Sequence, residues 1–213
     1  MRYDNFCYIW PPRPENAIDS SDLLYWDNGT LLGQCKLNGS NTTIYTNGHK
    51  TFVMNRHNQR LTNFKISNSE ISNLYVCKAG EWLVINSEYL NKSKQDENGN
   101  IFNDKLIIFD ILVYKSDYLL GSTFNERVEL LDDIYGRIDS DKSYLYGISE
   151  NIYRVKSYDR NFKQLFDSFT NNCPVVEGLV MKRKNAKLEI GNSEKNNNKS
   201  QLKCRVRSKN YKY

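Results

Sequence analysis

The sequence predicts an α+β domain in which antiparallel β-sheets are flanked by helices. Segments with strand-like patterns outnumber helical ones among the 213 residues, and short turns typical of hairpins separate most of them. The strongest turn signal is Asn47-Gly48, because both residues accept positive φ and strand-like residues 43–45 and 51–54 flank them. Residues 105–114 form a nearly continuous apolar run, whose length and β-branched composition predict a buried central strand.

An N-terminal arm is predicted over residues 1–30. Tyr8-Ile9-Trp10 precedes Pro11-Pro12-Arg13-Pro14, in which three prolines fix φ and stiffen the chain in an extended form. Such a segment can be a ligand for a domain that binds proline-rich peptides. The aromatic residues just before it favour the alternative, an arm that docks on its own domain.

One more strand and two helices are predicted in the middle of the chain. Residues 81–89 alternate in part and carry Glu88 near the end of a strand, after which residues 91–104 form a polar loop. Thr123 and Glu126 have the spacing of a capping box at the start of a helix. A second helix is indicated by apolar residues at helical spacing, namely Phe162, Leu165, Phe166 and Phe169.

The C-terminal part predicts two strands separated by a loop. Residues 175–182 are apolar except around Glu177-Gly178, and a charge within such a run is costly unless it is paired or binds a cation. Residues 191–200 are rich in Asn and predict a flexible loop, and residues 201–207 alternate as a final strand. The sequence contains no internal repeat, so we expect a single domain over residues 1–213.

The charge of the chain is mild overall but uneven. The formal net charge is +5, from 30 basic and 25 acidic residues, and this alone does not predict a nucleic-acid-binding protein. Basic residues crowd the chain after Met181, where the acidic ones are Glu189 and Glu194. Two interpretations stay open at this point, a solvated basic tail and a surface that faces phosphates.

The cysteines and histidines argue against disulfide and metal scaffolds. Five cysteines without any C-x-x-C pair favour neither a disulfide framework nor a thiolate zinc site, and they suggest a reducing, cytoplasmic compartment. The two histidines, His49 and His57, are too few for a His-rich metal site. Residues 1–30 contain no basic segment followed by the apolar segment of a signal peptide, and no apolar run in the sequence is long enough to span a bilayer, so no membrane partner is expected.

Four features together suggest nucleotide chemistry. Lys36 precedes the predicted hairpin, and Glu88 and Glu177 lie on two predicted strands. A basic strand follows with Lys203 and Arg205. Carboxylates can hold Mg²⁺ while the metal bridges phosphate oxygens, and cations neutralise the charge that develops on phosphorus. A lysine in such surroundings can act as a nucleophile.

On these residues the chain resembles the covalent nucleotidyltransferase superfamily of ATP-dependent DNA ligases, RNA ligases and mRNA capping enzymes. Five motifs occur in the family's order over nearly the whole chain: K-x-(D/N/H)-G at Lys36-Leu37-Asn38-Gly39, a glutamate motif around Glu88, an aromatic residue at Phe109, E-G-x-V-x-K from Glu177 to Lys182, and K-x-K at Lys203-Cys204-Arg205. Two positions depart from the usual pattern. Asn38 replaces the commoner Asp, and Arg205 replaces Lys, which keeps the charge but presents a planar fork to phosphate.

The resemblance implies a fold, a cofactor and a role for each site residue. It implies an adenylation domain in which Lys36 attacks the α-phosphate of ATP and forms lysyl-AMP, with Mg²⁺ or Mn²⁺ as the metal. The other implied roles are phosphate binding by Lys203 and Arg205, metal or ribose binding by Glu177 and Glu88, nucleotide binding by Asn38 and Lys182, and stacking on adenine by Phe109. Lys203, Arg205 and the metal are the candidates for favouring the neutral form of the attacking amine.

The subfamily and the substrate remain alternatives. Asn41 and Arg56 resemble positions at which nick-sealing RNA ligases contact a 5′-phosphate end or pyrophosphate, so RNA is favoured over DNA as the strand joined. A minimal DNA ligase, a GTP-dependent capping enzyme and a nucleic-acid-binding relic without activity are the other hypotheses. Because few residues follow Arg205, we expect a minimal, monomeric form that lacks a second domain. A protein partner could take the place of that missing domain. The Asn- and Lys-rich composition suggests a phage or viral genome.

Overall fold

Two β-sheets and four α-helices form the part of the chain that the computed structural model describes, residues 1–193 and 197–206. The strands are β1 (Arg13–Ile18), β2 (Leu31–Leu37), β3 (Ser40–Thr46), β4 (Thr51–Asn55), β5 (Leu83–Leu90), β6 (Lys105–Tyr114), β7 (Asp117–Tyr118), β8 (Leu145–Gly147), β9 (Ile152–Val155), β10 (Ser157–Tyr158), β11 (Val176–Arg183) and β12 (Asn197–Arg205). The helices are α1 (Leu23–Trp26), α2 (Asn68–Asn73), α3 (Phe124–Tyr135) and α4 (Phe162–Asn172), and a 3-10 turn precedes α1.

The strands are arranged mostly antiparallel, as predicted. The first sheet has five strands in the order β1-β12-β11-β2-β10. The second has the order β4-β3-β5-β6-β9-β8, and β7 pairs with β6 outside this path. Two pairs of neighbours are parallel, β1 with β12 and β6 with β9. The sheets flanked by helices confirm the predicted fold class, with these two parallel pairs as an addition to it.

Several elements form where local sequence signals indicated them. The hairpin of β3 and β4 closes around Asn47-Gly48, and Gly48 has a φ of 81°. Strand β6 coincides with the predicted central strand and pairs with β5 and β9. Helix α3 begins with the predicted capping box, in which Thr123 and Glu126 bond to each other's backbone N–H. The second predicted helix is α4, which buries three phenylalanines against β11 and β2.

The predicted loop over residues 191–200 is too long at its C-terminal end, because β12 begins at Asn197. The polar start of this strand pairs with β1, where Arg13 and Pro14 are the partners of Asn197 and Asn198. Strand β11 pairs with β12 from Gln201 onwards. The N-terminal arm supplies β1, so it is a sheet edge over Arg13–Ile18 and not only a docked segment. Residues 207–213 and 194–196, which hold part of the basic tail, lie outside the described residues.

The core lies between and behind the two sheets. One buried cluster joins the first sheet and α4 to residues of the second sheet, with Leu179, Phe162 and Ile107 among its members. Helices α2 and α3 cover one face of the second sheet, and the N-terminal residues cover the other. All five cysteines are free, in agreement with the sequence. None of the helices within the described ranges is long and apolar enough to cross a membrane.

Candidate active site

Lys36 and Glu177 form an ion pair across neighbouring strands. Lys36 lies on β2 and Glu177 on β11, and the ammonium group donates a hydrogen bond to Oε1 of the carboxylate. Both side chains are about one quarter exposed, so solvent reaches the pair. The two residues are 141 positions apart in the chain. The pairing of β2 with β11 therefore brings the predicted nucleophile to one of the two predicted carboxylates.

A β-bulge turns Glu177 towards Lys36. Val176 pairs with Leu37 and Gly178 pairs with Lys36, so Glu177 is an extra residue on β11 without a partner on β2. Successive side chains of a regular strand point to opposite faces, and a regular β11 would direct the residue next to Gly178 away from Lys36. Bulges redirect side chains in this way next to functional sites. The irregular pairing is therefore what makes the ion pair geometrically feasible.

Gly178 keeps the surface beside Lys36 open. Its φ of +151° is one that residues with side chains rarely adopt, and a Cβ there would lie 2.0 Å from the carbonyl oxygen of Cys204. Gly178 pairs with Lys36 on one side and with Arg205 on the other. No side chain of β11 therefore stands between the lysine and the arginine. The backbone geometry requires the glycine of the E-G-x-V-x-K pattern.

The inner cavity, of about 270 Å³, lies over one face of the five-stranded sheet. Polar residues that line it alternate along three strands, as residues on one face do: Gln34 and Lys36 on β2, Lys182 on β11, and Gln201, Lys203 and Arg205 on β12. Phe109, Val155 and Val180 supply apolar lining. An apolar pocket with several convergent cations suits a ligand that has both a flat apolar part and phosphates.

Asn41 and Glu88 reach the inner cavity from the second sheet. Glu88 accepts a hydrogen bond of 3.0 Å from the backbone N–H of Gly39, which ties β5 to the turn after Lys36. Asn41 Nδ2 donates to Asn86 Oδ1 at 3.2 Å. The Oδ1 atom of Asn41 is buried and has no hydrogen-bond partner among the described residues. A buried acceptor without a partner beside a cavity suits a ligand or water that donates.

Burial raises the pKa of Glu88 to about 7. The charge of Lys36 and the N–H of Gly39 act in the opposite direction, since both favour the carboxylate. The carboxylate of Glu177 adds to the rise, because two negative charges near one lysine repel each other. The Glu88 carboxyl therefore changes its charge near neutral pH, and a bound cation would favour its ionised form.

The Glu88→Gln variant should be more stable than the wild type at pH 8 and about equally stable at pH 4.5. The pKa of Glu88 is about 7 in the folded protein and about 4.5 as the ordinary value, so the folded state binds more protons between these limits. Wild-type stability therefore falls as pH rises from about 4.5 to 7, whereas Gln does not titrate and keeps an acceptor for Gly39. Urea unfolding at both pH values measures the difference. Glu189→Gln, at an exposed site, is the control. If Glu88→Gln differed from the wild type by the same free energy of unfolding at both pH values, the raised pKa of Glu88 would be contradicted.

Lys182 is buried between two aromatic rings at the wall of the inner cavity. Its Nζ atom lies 5.0 Å from the ring centre of Phe109 and 4.3 Å from that of Phe124, both within the range of cation–π contacts. Burial lowers the pKa of Lys182 to about 8, although the nearby carboxylate of Asp110 opposes this effect. The lysine thus contacts the ring of Phe109 and contributes charge to the wall of the cavity.

A buried ion pair behind Phe109 escaped the sequence analysis. Arg127 of α3 donates from Nε and Nη2 to the two carboxylate oxygens of Asp110, at 2.8 and 3.1 Å. Burial by itself raises the pKa of Asp110, but Arg127 and Lys182 outweigh it and hold the pKa below its ordinary value. The sequence does hold one signal, since Arg127 lies four residues before Leu131 on the buried face of a predicted helix.

An outer groove of about 470 Å³ adjoins the inner cavity. The two share part of their lining, including Lys36, Asn41, Arg56 and Glu88. The N-terminal arm lines the groove from Trp10 to Arg13, which sequence reasoning did not include in the site. A separate, wider depression of about 690 Å³ beside α1 and α4 contains none of the predicted site residues.

The structure brings most of the predicted residues to the cavity and the groove. Lys36, Asn41, Arg56, Glu88, Phe109, Lys182, Lys203 and Arg205 all line one or both. Glu177 contacts Lys36 at their edge. The side chain of Asn38 lines neither, and its backbone N–H donates to the carbonyl of Val175 at 3.3 Å.

The acidic residues fit a cation that also binds phosphate. Within residues 1–193 and 197–206, no three His, Cys, Asp or Glu side chains converge to form a cage. Glu88 and Glu177 interact with each other and with Lys36 beside the cavity. Mg²⁺ is usually bound by one or two carboxylates, with water and substrate phosphates completing its shell. The two carboxylates of Glu88 and Glu177 are a donor set of this kind.

Comparison with known proteins shows which solved structures have a similar fold. No family model and no curated protein matches the chain. Among solved structures it is similar to the ligase domain of LigD from M. tuberculosis, with a TM-score of 0.63 and 12% identity over 92% of this chain and 58% of that one. It is also similar to a mycobacterial DNA ligase D complexed with ATP and MES, with a TM-score of 0.56 and 14% identity over 84% and 55%. A structure of Lig E DNA ligases has a TM-score of 0.54 and 14% identity over 84% and 62%.

These similarities confirm the predicted fold class and show that the chain shares the backbone fold of these ligase structures. The identities are low, so the likeness concerns the arrangement of the backbone. The chain spans between 55% and 62% of the length of these three structures.

Proposed function

We propose that the protein is an ATP-dependent polynucleotide ligase that carries AMP on Lys36. The observation that supports this most is the position of Lys36 between the inner cavity and the outer groove, with Glu177 beside it and Lys203 and Arg205 on the same face. A lysine at the junction of two binding spaces is suited to receive a group from one ligand and pass it to another. The ligase fold of the chain is consistent with this chemistry.

The inner cavity has the composition of a nucleotide site. Phe109 and its apolar neighbours offer a flat surface on which adenine can stack. Lys203 and Arg205 line the same cavity, where they can bind the α-phosphate and stabilise the charge of the transition state. ATP is the proposed nucleotide, and one of the structurally similar ligases was solved in complex with ATP.

Joining then proceeds through three displacements at phosphorus. The neutral amine of Lys36 attacks the α-phosphate of ATP, a nitrogen–phosphorus bond forms, pyrophosphate leaves, and the nitrogen loses one proton to solvent. An oxygen of a 5′-phosphate on the polynucleotide next attacks the same phosphorus and breaks the bond to nitrogen, and Lys36 regains a proton. A 3′-hydroxyl finally attacks the activated 5′-phosphate, releases AMP and leaves its proton to solvent.

Each residue of the site has a separate role in these steps. Glu177 accepts a hydrogen bond from the Lys36 ammonium group before reaction, which orients the amine and gives its proton an acceptor. Glu88 and Glu177 are the side chains that would hold Mg²⁺. When bound, Mg²⁺ neutralises phosphate charge and orients the leaving group. Asn41 and Arg56 line the side of Lys36 from which pyrophosphate would leave and a 5′-phosphate would enter.

RNA is the proposed strand, because Asn41 and Arg56 resemble the end-binding positions of nick-sealing RNA ligases. The experiment that tests the whole proposal incubates the protein with ATP or GTP labelled at the α-phosphate. Label from ATP that is released by acid but resists alkali and hydroxylamine, as a phosphoramidate does, is expected. Sealing of nicked RNA more readily than nicked DNA should follow. Label from GTP alone would indicate a capping enzyme. Salt-sensitive binding of nicked duplexes without any label would indicate a nucleic-acid-binding relic.

A further inference from the structure

We propose that the outer groove binds the 5′-phosphorylated end of the strand to be joined, with Trp10 as the stacking surface for its terminal base. The proposal rests on the ligase function above and extends the site to the N-terminal arm. The groove is lined by Lys36, by Trp10, Pro11 and Arg13 of the arm, and by Arg56 and His57 of the turn after β4.

The arm is fastened to the wall that it faces. The hydroxyl of Tyr8 donates to the carbonyl of Asn55, the last residue of β4, at 2.9 Å. The backbone N–H of Ile9 donates to the hydroxyl of Tyr45 at 2.9 Å, and that hydroxyl donates back to the carbonyl of Ile9 at 3.3 Å. The arm and the residues just before Arg56 therefore keep a constant separation, and the groove between them exists before any ligand binds.

Trp10 is held in place at this groove while part of it stays accessible. The ring of Tyr8 packs against it edge to face, with 4.8 Å between ring centroids and an interplanar angle of 79°. Pro11 and Pro12 follow directly and fix φ, so the backbone beside the indole has little freedom to lose on binding. A rigid, half-buried indole in a groove is a suitable platform for a nucleobase, and every base offers a π-face.

The charge of the groove matches a terminal phosphate. Arg13, Lys36 and Arg56 line it, and Glu88 is the one carboxylate among its described lining residues. Since Lys36 lines both spaces, a phosphate bound beside it in the groove lies next to an AMP carried on that lysine. The terminal base of the same strand then extends along the groove to Trp10. A single-stranded or frayed 5′ end suits this site best, because its base is free to leave its neighbours.

A binding experiment with a modified substrate tests the role of Trp10. Fluorescence anisotropy measures the Kd of a short single-stranded oligonucleotide with a 5′-phosphate, and of the same strand with an abasic 5′-terminal nucleotide. For the normal strand, Trp10→Ala should raise Kd about tenfold and Trp10→Phe much less. The abasic end should raise the wild-type Kd by a similar factor, and combining it with Trp10→Ala should add almost nothing. Tyr25→Ala, at an exposed tyrosine on α1, is the matched control and should change no Kd.

The abasic strand separates stacking from a structural role. If Trp10→Ala weakens binding of the abasic end by the same factor as binding of the normal end, Trp10 acts only by supporting the arm and the proposal is overturned. The measurement needs no ATP and no joining, so its outcome is independent of the ligase assignment. If the protein takes no label from ATP but Trp10→Ala and the abasic end show the expected non-additive effects on Kd, the ligase function is refuted and the end-binding groove is supported. If the protein takes label but the effects of Trp10→Ala and the abasic end on Kd are additive, the ligase function is supported and the role of Trp10 is refuted.

Discussion

Replacing Lys36 with Ala should abolish labelling by ATP, with a loss of more than about a thousandfold. The amine of Lys36 is the only atom of this side chain that can form a bond to phosphorus, and β2 holds it between the inner cavity and the outer groove. The measurement is covalent transfer of label from α-labelled ATP, identified as a phosphoramidate by its stability in alkali and its release in acid, followed by mapping of the labelled peptide. Labelling of the Lys36→Ala protein at the wild-type rate would refute the proposed nucleophile.

Two further variants show what a loss of labelling means. Lys36→Arg keeps a cation opposite Glu177 but presents a guanidinium, which stays protonated, so it should fold normally and take no label. Lys163→Ala, on α4, removes a surface lysine whose ion pair with Asp167 lies outside the site, and it should label like the wild type. Loss of label in Lys163→Ala would mean that a general loss of charge or stability, and not the nucleophile, governs the result.

Arg127→Ala should lower the free energy of unfolding by about 3 to 5 kcal/mol at neutral pH. The guanidinium and the carboxylate of Asp110 are 4% and 2% exposed, and two hydrogen bonds join them. Removing Arg127 leaves the Asp110 carboxylate buried with the charge of Lys182 and the backbone N–H of Ile111 to stabilise it, and it also removes a hydrogen bond to the carbonyl of Ser122. Urea unfolding at pH 7 measures the effect.

The pH dependence of this loss identifies its cause. Arg127 and Lys182 hold the pKa of Asp110 below its ordinary value, so this contribution to stability is present above that value and is lost as pH falls through the lowered pKa. The difference in free energy of unfolding between the wild type and Arg127→Ala should therefore become smaller at acidic pH. Lys163→Ala, which breaks a partly exposed pair within one helix, should cost no more than about 0.5 kcal/mol. If Arg127→Ala and Lys163→Ala lowered the free energy of unfolding by the same amount at pH 7, the buried pair would not stabilise the fold more than a surface pair does.

The elements that the sequence predicts well depend on neighbours in the chain. Asn47-Gly48 forms its hairpin because positive φ is a property of those two residues, and Thr123 with Glu126 starts α3 through bonds within one turn. Strand β6 is predicted correctly because its apolar run is continuous. The five motifs could be recognised for the same reason, since each is a short pattern with its own spacing.

The parts that the sequence missed depend on partners far along the chain. The polar start of β12 extends the strand because β1, from the other end of the chain, offers backbone partners to Asn197 and Asn198. Asp110 and Arg127 appear in the sequence as two separate charges, and only the packing of α3 on β6 makes them a buried pair. The arm could be predicted as extended, but its contacts with Tyr45 and Asn55 decide that it lines the outer groove.

The sequence by itself determined which residue types are available for nucleotide chemistry and in what order they occur, with Lys36 first and the basic strand last. Only the tertiary structure decided which of them meet. The pairing of β2 with β11, the bulge at Glu177 and the bare backbone of Gly178 bring a carboxylate and a cation to Lys36 from more than a hundred residues away. Contacts of this kind depend on strand register and side-chain direction, and no local pattern in the sequence encodes either of them.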